Sequence, residues 1–163
     1  MHAVLSDRVQ AVRPSATMAI TARVYELRTA GQNIIGLGAG EPDFDTPEHI
    51  KAAAIAALQA GQTKYTPVDG TPALKQAIVQ KFAQDNQLHY APDQVLVSCG
   101  GKQSFYNLAQ ALLNAGDEVV IPAPYWVSYP DMVLLAEGKP VIVPTTAAQQ
   151  FKMQAEQLAA AIT

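Results

Sequence analysis

An α/β fold organised around a parallel sheet is what the 163-residue sequence predicts, and its second half carries the reason. After Pro92, short apolar runs at 94–98, 118–121 and 140–143 alternate with helical patterns at 102–114 and 126–137. Gly100 and Gly101 fall at the first of the junctions. Strands separated by helices of this length make βαβ units, in which each crossover helix lays the next strand parallel to the last with right-handed sense.

The elements follow in order. Residues 1–12 read as a loosely held arm. Ser15 is an N-cap for a helix in which Met18, Ala22 and Tyr25 recur at helical spacing, with Ile20, Val24 and Leu27 beside them, and Gly31 ends it. Residues 33–37 form a short strand, and 36–47 a loop rich in Gly, Pro and Asp. Thr46 caps a helix with Pro47 at its first position and Gly61 past its end. Thr71 caps the next, with Pro72 at its start and Leu74, Ala77, Ile78 and Phe82 as its buried face. In the helix at 102–114 the apolar face is Phe105, Leu108, Ala109, Leu112 and Leu113, and a last helix spans 151–162. Three strands make a partial sheet, and the closing helical pattern has no C-cap glycine, so the expectation is an incomplete domain.

Composition narrows the function. Hydrophobic residues are 49% and charged residues 15%, which suits a packed core rather than a disordered chain. A net charge of −3 with no basic block gives no field for nucleic acid or an anionic membrane. Residues 1–20 contain Asp7, Arg8, Arg13 and Pro14, so they make neither a signal peptide nor a membrane span. The single cysteine, Cys99, has no internal disulfide partner, which favours a reducing compartment, and a cytoplasmic location is expected.

Four motifs bear chemistry. In 98–103 (SCGGKQ) a strand ends, two glycines turn, and a helix begins near Lys102. Glycines admit close backbone approach, and helix-start amides with the positive dipole end favour an anion. The dinucleotide and P-loop fingerprints are absent, so taken alone the motif reads first as a tight βα turn without a ligand. In 122–130 (PAPYWVSYP), Trp126 can stack on a flat ligand or anchor the core, and Tyr125 and Tyr129 can donate hydroxyls or simply pack. In 64–70 (KYTPVDG), Tyr65 can reach a phosphate oxygen or lie on the surface. In 37–47 (LGAGEPDFDTP), the backbone near Gly40 can meet a carboxylate. Glu41, Asp43 and Asp45 lack a histidine at ligand spacing and a proline interrupts them, so no metal is expected. His2, His49 and His89 are scattered, and Cys99 reads as a buried small residue.

In this order and spacing the four segments resemble the fold-type-I pyridoxal-phosphate aminotransferases, in the aspartate/aromatic/alanine class I group. The likeness runs from VQAVRPSAT at 9–17 to the last helix and is greatest to the bacterial aspartate aminotransferase type. It implies a partial parallel-sheet large domain (46–163) preceded by an N-terminal arm and small-domain segment (1–45). It also implies pyridoxal 5′-phosphate as cofactor, held through the amides of Gly100, Gly101 and Lys102, with Trp126 against the pyridine ring. By the same resemblance, Tyr65 reaches the phosphate bound in the other subunit of a homodimer with a shared active site. Gly40 borders the substrate α-carboxylate, and Arg13 helps choose acidic substrates. The implied reaction moves an amino group between an amino acid, aspartate or a related acid, and a 2-oxo acid, within amino-acid metabolism and biosynthesis. A C–S or cyclopropane-forming (ACC-type) lyase of the same fold, or a non-catalytic fragment, are the alternatives.

Ala73 and Lys75 depart from the family pattern, which usually has glutamate and arginine there, and Cys99 stands where threonine, valine or asparagine is commoner. The family's Schiff-base lysine comes later along the chain. None of Lys51, Lys64, Lys75, Lys81, Lys102, Lys139 or Lys152 takes its place, so no catalytic residue is assigned and the chain alone is expected to be inactive.

Overall fold

The computed structural model describes residues 4–163; His2 and the start of the N-terminal arm lie outside them. The chain divides into two compact units, Met1–Gly40 with Lys102–Thr163, and Glu41–Gly101.

The first unit holds the sheet. Strands β1 (Glu118–Ala123) and β2 (Lys139–Pro144) pair in parallel, with Glu118 opposite Lys139 and Ala123 opposite Pro144. Helix α6 (Ser128–Leu135) makes the crossover between them and packs on both. It buries Met132 and Val133, while Ile121 and Val143 are the buried residues of the strands. Helix α5 (Gly101–Leu112) precedes β1, and α7 (Ala155–Ala161) packs on β2. At the start of the chain, α1 (Asp7–Ala11) packs on α6, with an Arg8–Glu137 ion pair of 3.6 Å, so this part of the expected loose arm is a docked helical turn. Helix α2 (Ala16–Thr29) begins at Ser15, whose hydroxyl accepts the Met18 amide at 3.3 Å.

The second unit holds α3 (Glu48–Gln59) and α4 (Pro72–Asn86). Thr71 caps α4 as the sequence indicates, accepting the Leu74 amide at 3.4 Å. For α3 the cap position is Pro47 and Thr46 makes no cap. Gly61, at φ +72°, follows the helix end.

Several expectations are corrected. Residues 33–37 and 95–98 join no ladder and Gln94 closes a 3-10 turn (Pro92–Gln94); among the described residues only β1 and β2 form a ladder. A strand exists through its neighbour, and the Val97 amide donates instead to the Asp69 carbonyl at 3.0 Å. Helix α6 starts two residues later than Trp126, because Pro124 and the aromatic residues after it form a loop. The last helix starts at Ala155 rather than 151, since Gln150 and Phe151 take left-handed angles of +53° and +56° that no α-helix accepts. On α4 Leu74 and Ala77 are exposed and Ile78 and Phe82 half-buried, while the buried residue is Lys75. On α5 only Ala109 is buried; Leu108 and Leu112 face an open apolar groove of about 140 Å³, because a two-stranded sheet is too narrow to cover the whole helix face.

The end of the sheet is pinned electrostatically. Lys139 Nζ reaches Glu118 Oε1 at 2.6 Å, and the Thr163 hydroxyl donates to Glu118 Oε2 at 3.2 Å. The Lys139 hydrogen bond, more than the Thr163 hydroxyl, holds the Glu118 carboxyl below its ordinary value. A carboxyl depressed on folding adds stability that is complete above its unfolded value, about 4.3, and is lost as pH falls through the lower folded value. The melting-temperature difference between wild type and Glu118→Gln is therefore expected to be constant from neutral pH down to about 4.3, to shrink as pH falls further, and to level off below the folded value. A pH-independent difference would refute the assignment.

Candidate active site

The turn 98–101 ends the second unit and leads into α5. Gly100 sits at φ +83°, where a side chain is strained, and its amide donates to the Ser98 carbonyl at 2.8 Å. No atom lies within 4 Å of where a Cβ would stand on Gly100 or Gly101. The backbone at Gly100 and Gly101 has room for a ligand to approach, directly before the first turn of α5. Cys99 is exposed, not buried as expected, because it occupies this open turn.

Within the first unit, Lys102 in the first turn of α5 places its ammonium 4.7 Å from the centre of the Trp126 ring. The indole is 43% exposed, so it is not a core anchor. Its edge meets Tyr129 at 5.5 Å, and Tyr129 meets Phe105 of α5 at 5.1 Å. These aromatics brace the β1–α6 loop against α5, and Trp126 keeps an accessible π surface beside a cation. Within the first unit, the first turn of α5 at Lys102 and the exposed ring of Trp126 suit a flat, phosphate-bearing ligand, so these residues fit pyridoxal phosphate.

Arg13 lies between α1 and α2 and lines a cleft of about 440 Å³ with Tyr125, Pro130, Asp131 and Leu134, one residue along the chain from Trp126. Gly40 has open space around its Cβ position. In the second unit Tyr65 is fully exposed on the loop before α4. The structure thus brings Lys102 to Trp126 and sets Arg13 beside Tyr125. Among the described residues no three His, Cys, Asp or Glu side chains converge on a metal position, and no helix is long and apolar enough to cross a membrane.

Sequence reasoning missed one feature near these motifs. Lys75 of α4 is buried, 9% exposed, and forms an ion pair with Asp69 in the Tyr65 loop. That hydrogen bond, with one from the Asp69 backbone, draws the Asp69 carboxyl below its ordinary value. The available signal was a lysine in the first turn of a helix, six residues after an aspartate.

Comparison with known proteins accords with this geometry. The sequence profile of aminotransferase class I and II matches residues 32–163. An aspartate/prephenate aminotransferase of Nitrosomonas europaea is 61% identical over 98% of the chain, which spans 40% of that protein. An aspartate aminotransferase of a Bacillus species, strain YM-2, is 55% identical over 100% of the chain and 42% of its own length. The crystal structure of Thermus thermophilus aspartate aminotransferase with maleate superposes with a TM-score of 0.95 at 49% identity, over 99% of this chain and 42% of that one. The partial parallel-sheet large domain implied by the motifs is thus the observed fold. On the matched residues and the shared fold together, the chain belongs to the aminotransferase class I and II family.

Proposed function

We propose that the chain is the cofactor-cradling part of an aminotransferase that moves an amino group between aspartate or a related acid and a 2-oxo acid. The observation that carries this is the Lys102 ammonium 4.7 Å over an exposed Trp126, at the start of a helix entered through Gly100 and Gly101. Pyridoxal phosphate, when bound, supplies the electron sink for the amino-group chemistry. The amides of Gly101 and Lys102, joined by that of Gly100 once it releases the Ser98 carbonyl, hold its phosphate, and the Lys102 charge offsets the phosphate charge. Trp126 fixes the ring plane and excludes water from one face. The Gly40 backbone meets the substrate α-carboxylate, and Arg13, from its cleft, favours an acidic side chain.

Tyr65, exposed at the surface, donates to the phosphate held by the other subunit, so the active site is shared in a homodimer. The arm and small-domain segment of 1–45 and the cofactor domain of 46–163 divide this work. A net charge of −3 supports an enzyme that binds neither nucleic acid nor an anionic membrane, the lone cysteine suits a cytoplasmic location, and the family accords with amino-acid metabolism and biosynthesis.

The test is an assay of the full-length polypeptide with pyridoxal phosphate, aspartate and a 2-oxo acid. Stoichiometric exchange of amino and oxo groups is expected. Release of ammonia instead would identify a lyase, and no turnover would identify a non-catalytic chain. In the same protein, Trp126→Ala is expected to weaken pyridoxal phosphate binding about tenfold, the loss of roughly 1.4 kcal/mol of ring packing. Unchanged affinity would remove Trp126 from the site.

A further inference from the structure

Within the second unit, the buried Lys75 has no role in the function proposed above. A lysine gives up side-chain freedom when fixed and loses hydration when buried. An apolar side chain of similar length fills such a space at lower cost, so the charge calls for a reason. Its partner, Asp69, is a junction. The Asp69 carboxylate takes the Lys75 ammonium, and the Asp69 carbonyl accepts the Val97 amide at 3.0 Å. Next to it Gly70 stands at φ +109°, its Cα so close to the Val97 side chain that a Cβ would collide with it, and its amide closes a turn on the Pro67 carbonyl at 3.1 Å. One short stretch is therefore tied to α4 by an ion pair and to the segment before the glycine turn by a hydrogen bond and close packing. Tyr65 lies four residues before Asp69, and Gly100 three residues after Val97.

We propose that Lys75 is a positioning residue, whose ion pair with Asp69 fixes the Tyr65 loop and the 97–101 turn in one register so that both present their donors to phosphate groups. The inference rests on the proposed reading of those two segments as phosphate-binding. It accounts for a charge where packing alone needs none.

The test compares the full-length wild type with Lys75→Met and Lys75→Arg, measuring affinity for pyridoxal 5′-phosphate and for pyridoxal, which lacks the phosphate. Lys75→Met is expected to weaken pyridoxal phosphate binding on the order of tenfold or more and to leave pyridoxal nearly unchanged, with Lys75→Arg restoring the wild-type ratio. Equal losses for the two ligands, or no loss, would overturn the proposal, since general destabilisation does not distinguish a phosphate. If Lys75→Met does not fold, Asp69→Asn, at a half-exposed position, carries the same comparison. Amide exchange at Val97 gives a reading independent of the cofactor: faster exchange in Lys75→Met and wild-type exchange in Lys75→Arg are expected. Unchanged exchange overturns the proposal even where the ligands bind. A wild type that binds neither ligand refutes the functional reading instead, and the exchange rates then decide the positioning role alone.

Discussion

Gly70→Ala is expected to lower the stability of the full-length protein by about 3 kcal/mol, read as a shift in the denaturant midpoint of the transition that includes this unit. Two costs add. A non-glycine residue at φ +109° occupies a sparsely allowed backbone region, worth about 1–3 kcal/mol. The new Cβ also enters the space of the Val97 side chain, and overpacking of this kind costs about 1–3 kcal/mol. The costs separate in a double-mutant cycle. A Val97→Ala background removes the Val97 Cγ2 that the added methyl would meet most closely but keeps the Val97 Cβ at 2.9 Å, so the steric share shrinks while the backbone share stays. Gly70→Ala is expected to cost about 1–2 kcal/mol less there than in wild type. Equal costs in the two backgrounds would mean that the Val97 γ-methyls are not the obstacle. Because Val97 leads into the glycine turn, the single variant is also expected to weaken phosphate-dependent ligand binding, and the double variant to regain part of it.

What the sequence showed of this fold follows the range of the forces involved. Ser15 and Thr71 were legible as caps because a hydroxyl and an amide three residues on settle the matter locally. Thr46 failed by one position for the same local reason: Pro47 takes an extended ψ of 140° and becomes the boundary residue itself. β1 and β2 were legible as Val- and Ile-rich runs joined by a crossover helix. Residues 94–98 look equally apolar, yet a strand is a relation between two segments, and Val97 spends its amide on Asp69. The same limit explains Lys75. Periodicity reads α4 as burying Leu74 and Ala77, because a pattern of apolar residues carries no information about a carboxylate arriving from a preceding loop. Of the candidate site, the glycine turn and the exposed indole were legible as motif and resemblance. The approach of Lys102 to Trp126 was not, since 24 positions separate them and only the return of the chain through β1 brings them together.

The packing of α6 on the sheet concentrates in one side chain, and a second pair of substitutions measures it. Val133 is 0% exposed, and Gly138, in the turn between α6 and β2, stands against it. A Cβ on Gly138 would come within 3.0 Å of Val133 Cγ1, 3.1 Å of Leu113 Cδ1 and 3.2 Å of the Asp117 carbonyl oxygen. The turn is held by the Gly138 amide on the Val133 carbonyl at 2.9 Å and by the Lys139 amide on the Asp117 carbonyl at 2.8 Å, so the backbone cannot readily withdraw. Val133→Ala is expected to cost about 2 kcal/mol through lost burial and the cavity left behind. Gly138→Ala is expected to cost about 2 kcal/mol through overpacking. Combined, the methyl added at 138 occupies part of the space vacated at 133, so the double variant is expected to be more stable than the sum of the single changes by about 1 kcal/mol. The contact with Asp117 is untouched by either change and keeps the rescue incomplete. Strict additivity would show that the Val133 methyls are not what Gly138 is small to accommodate, and would place the constraint on the Asp117 carbonyl and Leu113 instead.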